Sequence, residues 1–284
     1  MKTYIFQFLL LLASIKLKID SSYYSIPEYF LLLYRYFPIV HSLGQQQIKS
    51  KYASTLLGLV IMIIKLVLTI LIYYFVFGVL IKVDVGDINY ILFLITGYFV
   101  WSLFISIVGE VSASLLNTKN LYSKIFIPKI CIPVSHLYIP VLESFISLVF
   151  IIILMFALGI PFQVKFIFVP ILLVLNVLIG LSIGLAISIA SVKKRDVLHL
   201  IPYLIGFGFF LTPVFYSTTI IPDAYSFIIY LNPLAFIIDL YRWIIFDCAL
   251  PNLKYLYGFI PVILIFVWSF NLYRKNDKKI VDYI

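Results

Sequence analysis

Phe209-Phe-Leu-Thr-Pro-Val-Phe-Tyr-Ser217, Ile220-Ile-Pro-Asp223, Tyr230-Leu-Asn-Pro-Leu234 and Asp239-Leu-Tyr-Arg-Trp243 belong to one apolar stretch that prolines cut apart. A helix needs ~20 apolar residues to cross the hydrocarbon core, and lipid leaves no exposed backbone group without a partner. Pro213, Pro222 and Pro233 leave pieces shorter than that. The stretch is therefore expected to enter a membrane and turn back, shielded by the rest of the chain.

The composition supports a membrane setting. Of 284 residues, 64% are hydrophobic and only 12% charged, with a mean hydropathy of +1.14. A soluble domain of this size needs more polar surface than that. The formal charge of +9 would point to nucleic acid in a soluble protein. Here its distribution matters more, because cytoplasmic loops of membrane proteins collect Lys and Arg.

Outward from the broken stretch, the pattern predicts an all-α integral membrane protein with six spans. Residues 1–55 form a cytoplasmic or interfacial segment, and 56–284 the transmembrane domain. Met1-Lys-Thr3 with Tyr4 to Ala13 resembles a short signal-peptide core. Cleavage there would leave Arg35, Lys49 and Lys51 outside, so a retained interfacial segment fits better. Tyr29 to Ser50 mixes Phe, Leu and Tyr with His41, Gln45, Gln46, Gln47 and Lys49, as an amphipathic helix on the membrane surface does, with a kink at Pro38. The spans fall at 56–81, 90–111, 133–158, 166–192, 197–216 and 256–273. A polar loop, 112–132, separates the second from the third, and the re-entrant hairpin occupies 217–250. Gly180-Leu-Ser-Ile-Gly184 with Ser188 makes a small-residue face suited to close helix approach.

Charge counting orients the spans. With both termini in the cytoplasm, sixteen Lys and Arg lie inside; Lys82, Lys165, Arg242 and Lys254 lie outside. A seventh span over 224–250 would move the four cations of the tail outside. The broken stretch is accordingly an outward hairpin, with Asn232-Pro233 at its turn. Cys131 and Cys248 then lie on opposite sides and are not expected to form a disulfide.

Much chemistry is excluded. There is no Gly-x-x-x-x-Gly-Lys-[Ser/Thr] loop to cradle a nucleotide. His41, His136 and His199 are far apart and lack Cys or carboxylate partners at ligand spacing, so no metal site is expected. The outer acids Asp84, Asp87, Asp223, Asp239 and Asp247 include no Asp-x-Asp pair of the kind a membrane glycosyltransferase uses. Within the spans only Lys65, Glu110 and Glu143 ionise, too few for a proton relay. Lys65 either snorkels to the cytoplasmic surface or pairs with Glu143.

Several fragments carry a family resemblance in their order and spacing. They are Lys51-Tyr-Ala-Ser-Thr-Leu-Leu-Gly58, Val76-Phe-Gly78, Gly97-Tyr-Phe-Val-Trp101, Ser114-Leu-Leu-Asn117 with Leu121, Lys124, Phe126 and Pro128, Arg195-Asp196, Thr212-Pro-Val214, Leu231-Asn-Pro-Leu234 and Tyr241-Arg242. From about Gln45 to Ile284 the chain resembles the permease subunits of type-2 ABC exporters. The branch is the one exporting O-antigen, capsule and teichoic-acid polymers. Lys51 stands where that family commonly has Arg.

The resemblance implies a half-transporter in the cytoplasmic membrane. Two copies would form a homodimer and dock two copies of a separate ABC ATPase subunit, which holds the ATP and Mg; this chain carries no cofactor. The substrate would be a lipid-linked glycan, with membrane lipids around it and no nucleic acid. Asn117, Leu121, Tyr122, Lys124, Phe126 and Pro128 would couple to the ATPase, with Arg195 and Asp196. Asp196 also has a local reading, as the N-cap of the fifth helix. Pro213, Tyr216, Pro222, Asn232, Pro233, Asp239 and Arg242 would form the outer gate, and Asp239 and Arg242 would pair locally in the plainer reading. Tyr74, Phe75, Phe99, Trp101 and Phe104 are candidates to line the glycan path, against lipid contact as the alternative. Other readings are a type-2 exporter of a small or lipophilic molecule, and a membrane-embedded glycan-processing enzyme.

Overall fold

The computed structural model describes residues 26–52, 57–86, 88–118 and 127–276 of the chain. Among these residues every regular element is helical. α1 (Ile26–Tyr52) precedes α2 (Leu57–Tyr73), which continues into a π-helical segment, Tyr74–Leu80. Then come α3 (Tyr90–Asn117), α4 (Cys131–Ser135), α5 (Tyr138–Ala157), α6 (Val169–Lys193) and α7 (Val197–Leu211). α8 (Ser226–Tyr230), α9 (Pro233–Phe246) and α10 (Phe259–Asn276) complete the order. Single 3-10 segments, Val164–Phe168 and Leu253–Gly258, lead into α6 and α10. Five stretches are each long and apolar enough to cross a membrane: Val60–Leu80, Tyr90–Asn117, Cys131–Ala157, Val164–Lys193 and Leu253–Lys275. The chain is an all-α integral membrane protein.

α3 is the axis of the bundle. Leu92, Leu94, Ile95, Phe99, Trp101, Phe104, Ile107 and Val108 are buried on all its sides, and a helix apolar all round belongs in an interior. Its main partner is α6. A Cβ on Gly180 would come within 2.9 Å of Ile107, and one on Gly184 within 2.7 Å of Val111. The small-residue face of α6 is thus the one that meets α3. Asn176 Nδ2 donates to the Val100 carbonyl at 2.9 Å, and Ser191 to that of Ser112 at 3.3 Å. Lipid is as apolar as leucine, so packing and such interhelical bonds, ~0.6–2 kcal/mol each, hold the pair together.

α2 is the opposite case. Ile61, Ile64, Leu68, Leu71 and Ile72 are all exposed, a surface for lipid or for another helix. α1 buries Tyr29, Tyr36, Ile39 and Val40, spaced as one helical face, and leaves Tyr34 and Phe37 exposed. It runs through Pro38 as one helix. Gln47 Nε2 donates to Ser135 Oγ at 3.0 Å, and His41 Nδ1 lies 2.8 Å from the Tyr138 hydroxyl. These bonds fasten α1 to α4 and α5.

Three boundaries differ from the sequence reading. The second span continues past Val111 to Asn117, because Ser112 and Ser114 return their hydroxyls to the carbonyls of Gly109 and Val111 and stay buried in the helix. The third begins with the separate helix α4. The fifth is helical only to Leu211, and 212–217 contains no helix. Irregular backbone at membrane depth needs partners from elsewhere. Arg242 Nη2 donates to the Val214 carbonyl at 3.1 Å, and the Tyr90 hydroxyl to that of Phe215 at 2.9 Å. Gly97 permits the approach: a Cβ there would lie 2.5 Å from the Val214 oxygen.

The broken stretch bends by 95° between Asp223–Tyr230 and Pro233–Phe246. Asn232 makes the turn. Its Oδ1 accepts from Leu234 N at 3.0 Å, capping α9, and its Nδ2 donates to Thr212 Oγ1 at 2.9 Å. Pro233 at the first helical position needs no donor. Ser217–Ile221 before the bend and Cys248–Asn252 after it border one cavity, together with Asp84, Val85, Gly86 and Ile88. The stretch leaves and returns at the same end of the bundle, as a hairpin does.

Candidate functional site

Two charged clusters sit at opposite ends of α3. At the Asn117 end, Lys51 Nζ lies 3.0 Å from Glu143 Oε1 and 3.3 Å from Glu110 Oε1. The Tyr52 hydroxyl donates to Glu143 at 2.5 Å, and Ser106 Oγ donates to its other oxygen at 3.2 Å. His136 Nδ1 stands 3.4 Å from Glu110 Oε2. One lysine at the end of α1 therefore bridges acids on α3 and α5. Burial works to lower the pKa of Lys51, but the charges and hydrogen bonds of Glu143 and Glu110 outweigh it, and the net shift is upward. Next to this cluster is a cavity of about 640 Å³ that Lys65, Ser102, Ser144, Met62 and Ile205 help to line.

At the Tyr90 end, Arg242 is 3% exposed. It lies 3.5 Å from Asp239 in the i,i+3 relation, and its guanidinium covers the Phe93 ring. Asp239 Oδ2 accepts from the hydroxyls of Tyr255 at 3.0 Å and Thr218 at 3.2 Å. The pair thus joins α9 to α3, to the turns after α7, and to the start of the last span. Lys165 pairs with Asp247 and covers Trp243, fixing the far end of α9 to the entrance of α6.

Sequence-selected residues fall unevenly on this frame. Asn232 and Pro233 open α9, Asp239 and Arg242 lie about two turns along it, and Asp239 and Arg242 do pair locally. Pro213 is buried, Pro222 is exposed, and the Tyr216 hydroxyl donates to the Phe210 carbonyl at 3.2 Å. Phe99, Trp101 and Phe104 are interior: Phe99 packs edge-on against Tyr241, and Trp101 lies against Phe104 and Phe209. They face neither cavity. Phe75 is exposed on the π-helical segment, and Tyr74 packs against Tyr90. Asn117 is exposed, Pro128 is buried, and Leu121, Tyr122, Lys124 and Phe126 lie outside the described residues, as does Tyr4–Ala13. Arg195 and Asp196 are exposed, and Asp196 makes no side-chain cap on α7. Its αR backbone precedes the helix without the extended geometry that capping uses. Lys65 does not pair with Glu143, whose oxygens Lys51, Tyr52 and Ser106 occupy. Sequence reasoning missed the Lys51 bridge and the contact of His136 with Glu110. The signal was there: two acids in apolar helices each require a nearby cation. Among the described residues no three His, Cys, Asp or Glu converge as a metal site.

Residues 39–246 match the family described as ABC-2 type transporter. The chain belongs to this family. The match starts inside α1 and ends at the last residue of α9, so it includes the Lys51 cluster and the Asp239–Arg242 pair. Among its relatives, an O-antigen export system permease protein, RfbA, of Klebsiella pneumoniae is 28% identical over 232 residues, which cover 80% of this chain and 89% of the relative. RfbA of Myxococcus xanthus is 25% identical over 239 residues, covering 84% and 91%. The inner membrane transport permease YadH of Escherichia coli K12 is 28% identical over 200 residues, covering 62% and 72%. As an ABC-2 type transporter, the chain is a multi-pass permease component.

Proposed function

We propose that this chain is the membrane half of an exporter that moves a lipid-linked polysaccharide across the cytoplasmic membrane, driven by a separate ATPase. The observation that carries this reading is the similarity to O-antigen export permeases over 89% and 91% of their lengths. Two copies of the chain form the path, two ATPase copies hold ATP and Mg, and both termini face the cytoplasm. The connection between α3 and α4, with exposed Arg195 and Asp196, meets the ATPase. The bent pair α8–α9 is the re-entrant hairpin at the outer face, where Lys82, Lys165 and Lys254 are the sparse cations that the positive-inside trend allows.

The arrangement suits this work. A coupling element has to move the bundle as a unit, and Lys51 ties the surface helix to α3 and α5. Deleting the gene should leave lipid-linked glycan in the inner leaflet and strip the polymer from the cell surface. Normal surface polymer in the deletion strain would overturn the reading.

A further inference from the structure

The first span ends in a rare geometry. Tyr74–Leu80 is a π-helix of seven residues, with Ile81 N donating to the Val76 carbonyl at 3.0 Å. A π turn takes one residue more per hydrogen bond than an α turn, and it occurs mostly as a single turn. None of the seven residues is fully buried, so the core does not impose this geometry. Contacts with two other elements hold it. Phe77 stacks on Phe215 with the ring centres 4.1 Å apart, and Tyr74 packs against Tyr90 at 6.2 Å. Gly78 lies under the Tyr90 ring, where an added Cβ would come within 2.7 Å of it. A slip of one position would put Phe77 or Val79 beneath that ring.

Phe215 belongs to the irregular run 212–217 that follows α7. The Tyr90 hydroxyl donates to its carbonyl at 2.9 Å, while the ring of the same tyrosine covers Gly78. One side chain of α3 therefore clasps the irregular ends of two spans. Beside the clasp, Tyr73 closes the α-helical part of the first span and lies 5.4 Å from Phe209 of the fifth. Toward the Lys51 end the same two spans part. There the cavity of about 640 Å³ separates Met62 and Leu66 on α2 from Ile201 and Ile205 on α7. The first and fifth spans are thus joined at the Tyr90 end, through two segments that have left the α-helical register.

We propose that Tyr74–Leu80 is a register switch that docks and releases the fifth span. In the π form it offers Gly78 to Tyr90 and Phe77 to Phe215, and the two spans are joined. Tightened to an α-helix, it turns these residues about the helix axis, and the run 212–217 loses its partner. The two forms exclude each other, because the α register brings a side chain to the place where the Tyr90 ring lies. The switch is independent of what the permease carries.

The test is amide hydrogen exchange, read by mass spectrometry on the permease with its ATPase in nanodiscs, over peptides covering 74–83 and 212–217. Tyr90→Phe removes the donor to Phe215 and keeps the ring over Gly78. Exchange over 212–217 should rise about threefold to tenfold, the worth of one hydrogen bond. Phe215→Ala removes the ring on which Phe77 stacks, and exchange over 74–83 should fall by a similar factor as the segment tightens. Deletion of Val79 leaves one residue too few for the π form; exchange should fall over 74–83 and rise over 212–217. ATP with vanadate, added to the wild-type complex, should move the two segments in those same directions. Faster or unchanged exchange over 74–83 in Phe215→Ala overturns the switch, since the segment then frays or ignores its partner. Nucleotide that changes neither segment, or only one, overturns the coupling. If the deletion fails to fold, the Phe215→Ala and nucleotide arms decide.

Discussion

The guanidinium carbon of Arg242 lies 3.5 Å from the centre of the Phe93 ring, with Asp239 on its other flank. A side chain from the hairpin is thereby held over the first turn of the central helix. The same guanidinium closes the Val214 carbonyl, so one residue supports both the hairpin and the unwound end of the fifth span.

Arg242→Ala should therefore be among the most destabilising single changes. It strands a buried carboxylate, at a cost of ~3–5 kcal/mol. Replacing both partners with apolar residues, Asp239→Leu with Arg242→Met, removes the stranded charge and should lose less than Arg242→Ala does. Thermal unfolding in detergent, followed by size-exclusion fluorescence, compares the two. A double variant that unfolds below the single one would contradict this account.

Glycine replacements should differ in sign by position. Gly184→Leu drives a side chain into Val111 and should cost ~1–3 kcal/mol or more, visible as loss of folded yield. Gly109 has open space where its Cβ would stand, and Gly109→Ala should gain up to ~1 kcal/mol from helix propensity. Equal behaviour of the two variants would refute the α3–α6 packing argument.

Lys51→Ala leaves Glu110 and Glu143 without their shared cation, whereas Lys51→Arg keeps the charge. The alanine variant should lower ATPase stimulation in the reconstituted complex, and the arginine variant should keep most of it. The folded pKa of Lys51 is raised above the ordinary lysine value of ~10.4. Its contribution is complete below that value and is lost only as pH rises through the higher folded pKa. A melting temperature set by Lys51 should thus be flat from pH 6 to 9 and fall only in strong alkali; a Lys51-dependent drop below pH 9 would disagree.

Lys254 is exposed just before the last span. With Cys131 and Cys248 replaced by Ala, Lys254→Cys should react with an impermeant maleimide applied to intact cells. Labelling only after the inner face is opened would invert the orientation proposed above.

Five of the spans were legible because each is a long apolar run that only a membrane can host; the fifth in order, predicted over 197–216, is helical only over Val197–Leu211. The break was legible because prolines interrupt one such run, and the chain does bend by 95° at Asn232-Pro233. The end of the second span was misread at Ser112, since a serine that bonds its own helix behaves as a small apolar residue once buried. The aromatic candidates Phe99 and Trp101 are buried within the single chain, a position that the sequence pattern did not distinguish from a path or a lipid face. In a chain this apolar, hydrophobicity marks core, lipid face and path alike, and only packing separates them. The Lys51 bridge joins residues 59 and 92 positions apart, a distance that local pattern does not encode.

The shortness of α7 has a consequence for the membrane itself. Its 15 residues rise ~22 Å, against a hydrocarbon thickness of ~30 Å. Tyr203, Leu204 and Phe207 project from its outer face, so lipid or a neighbouring protomer has to conform to this truncated rod. Hydrophobic mismatch of this kind draws the two leaflets together at modest cost per ångström.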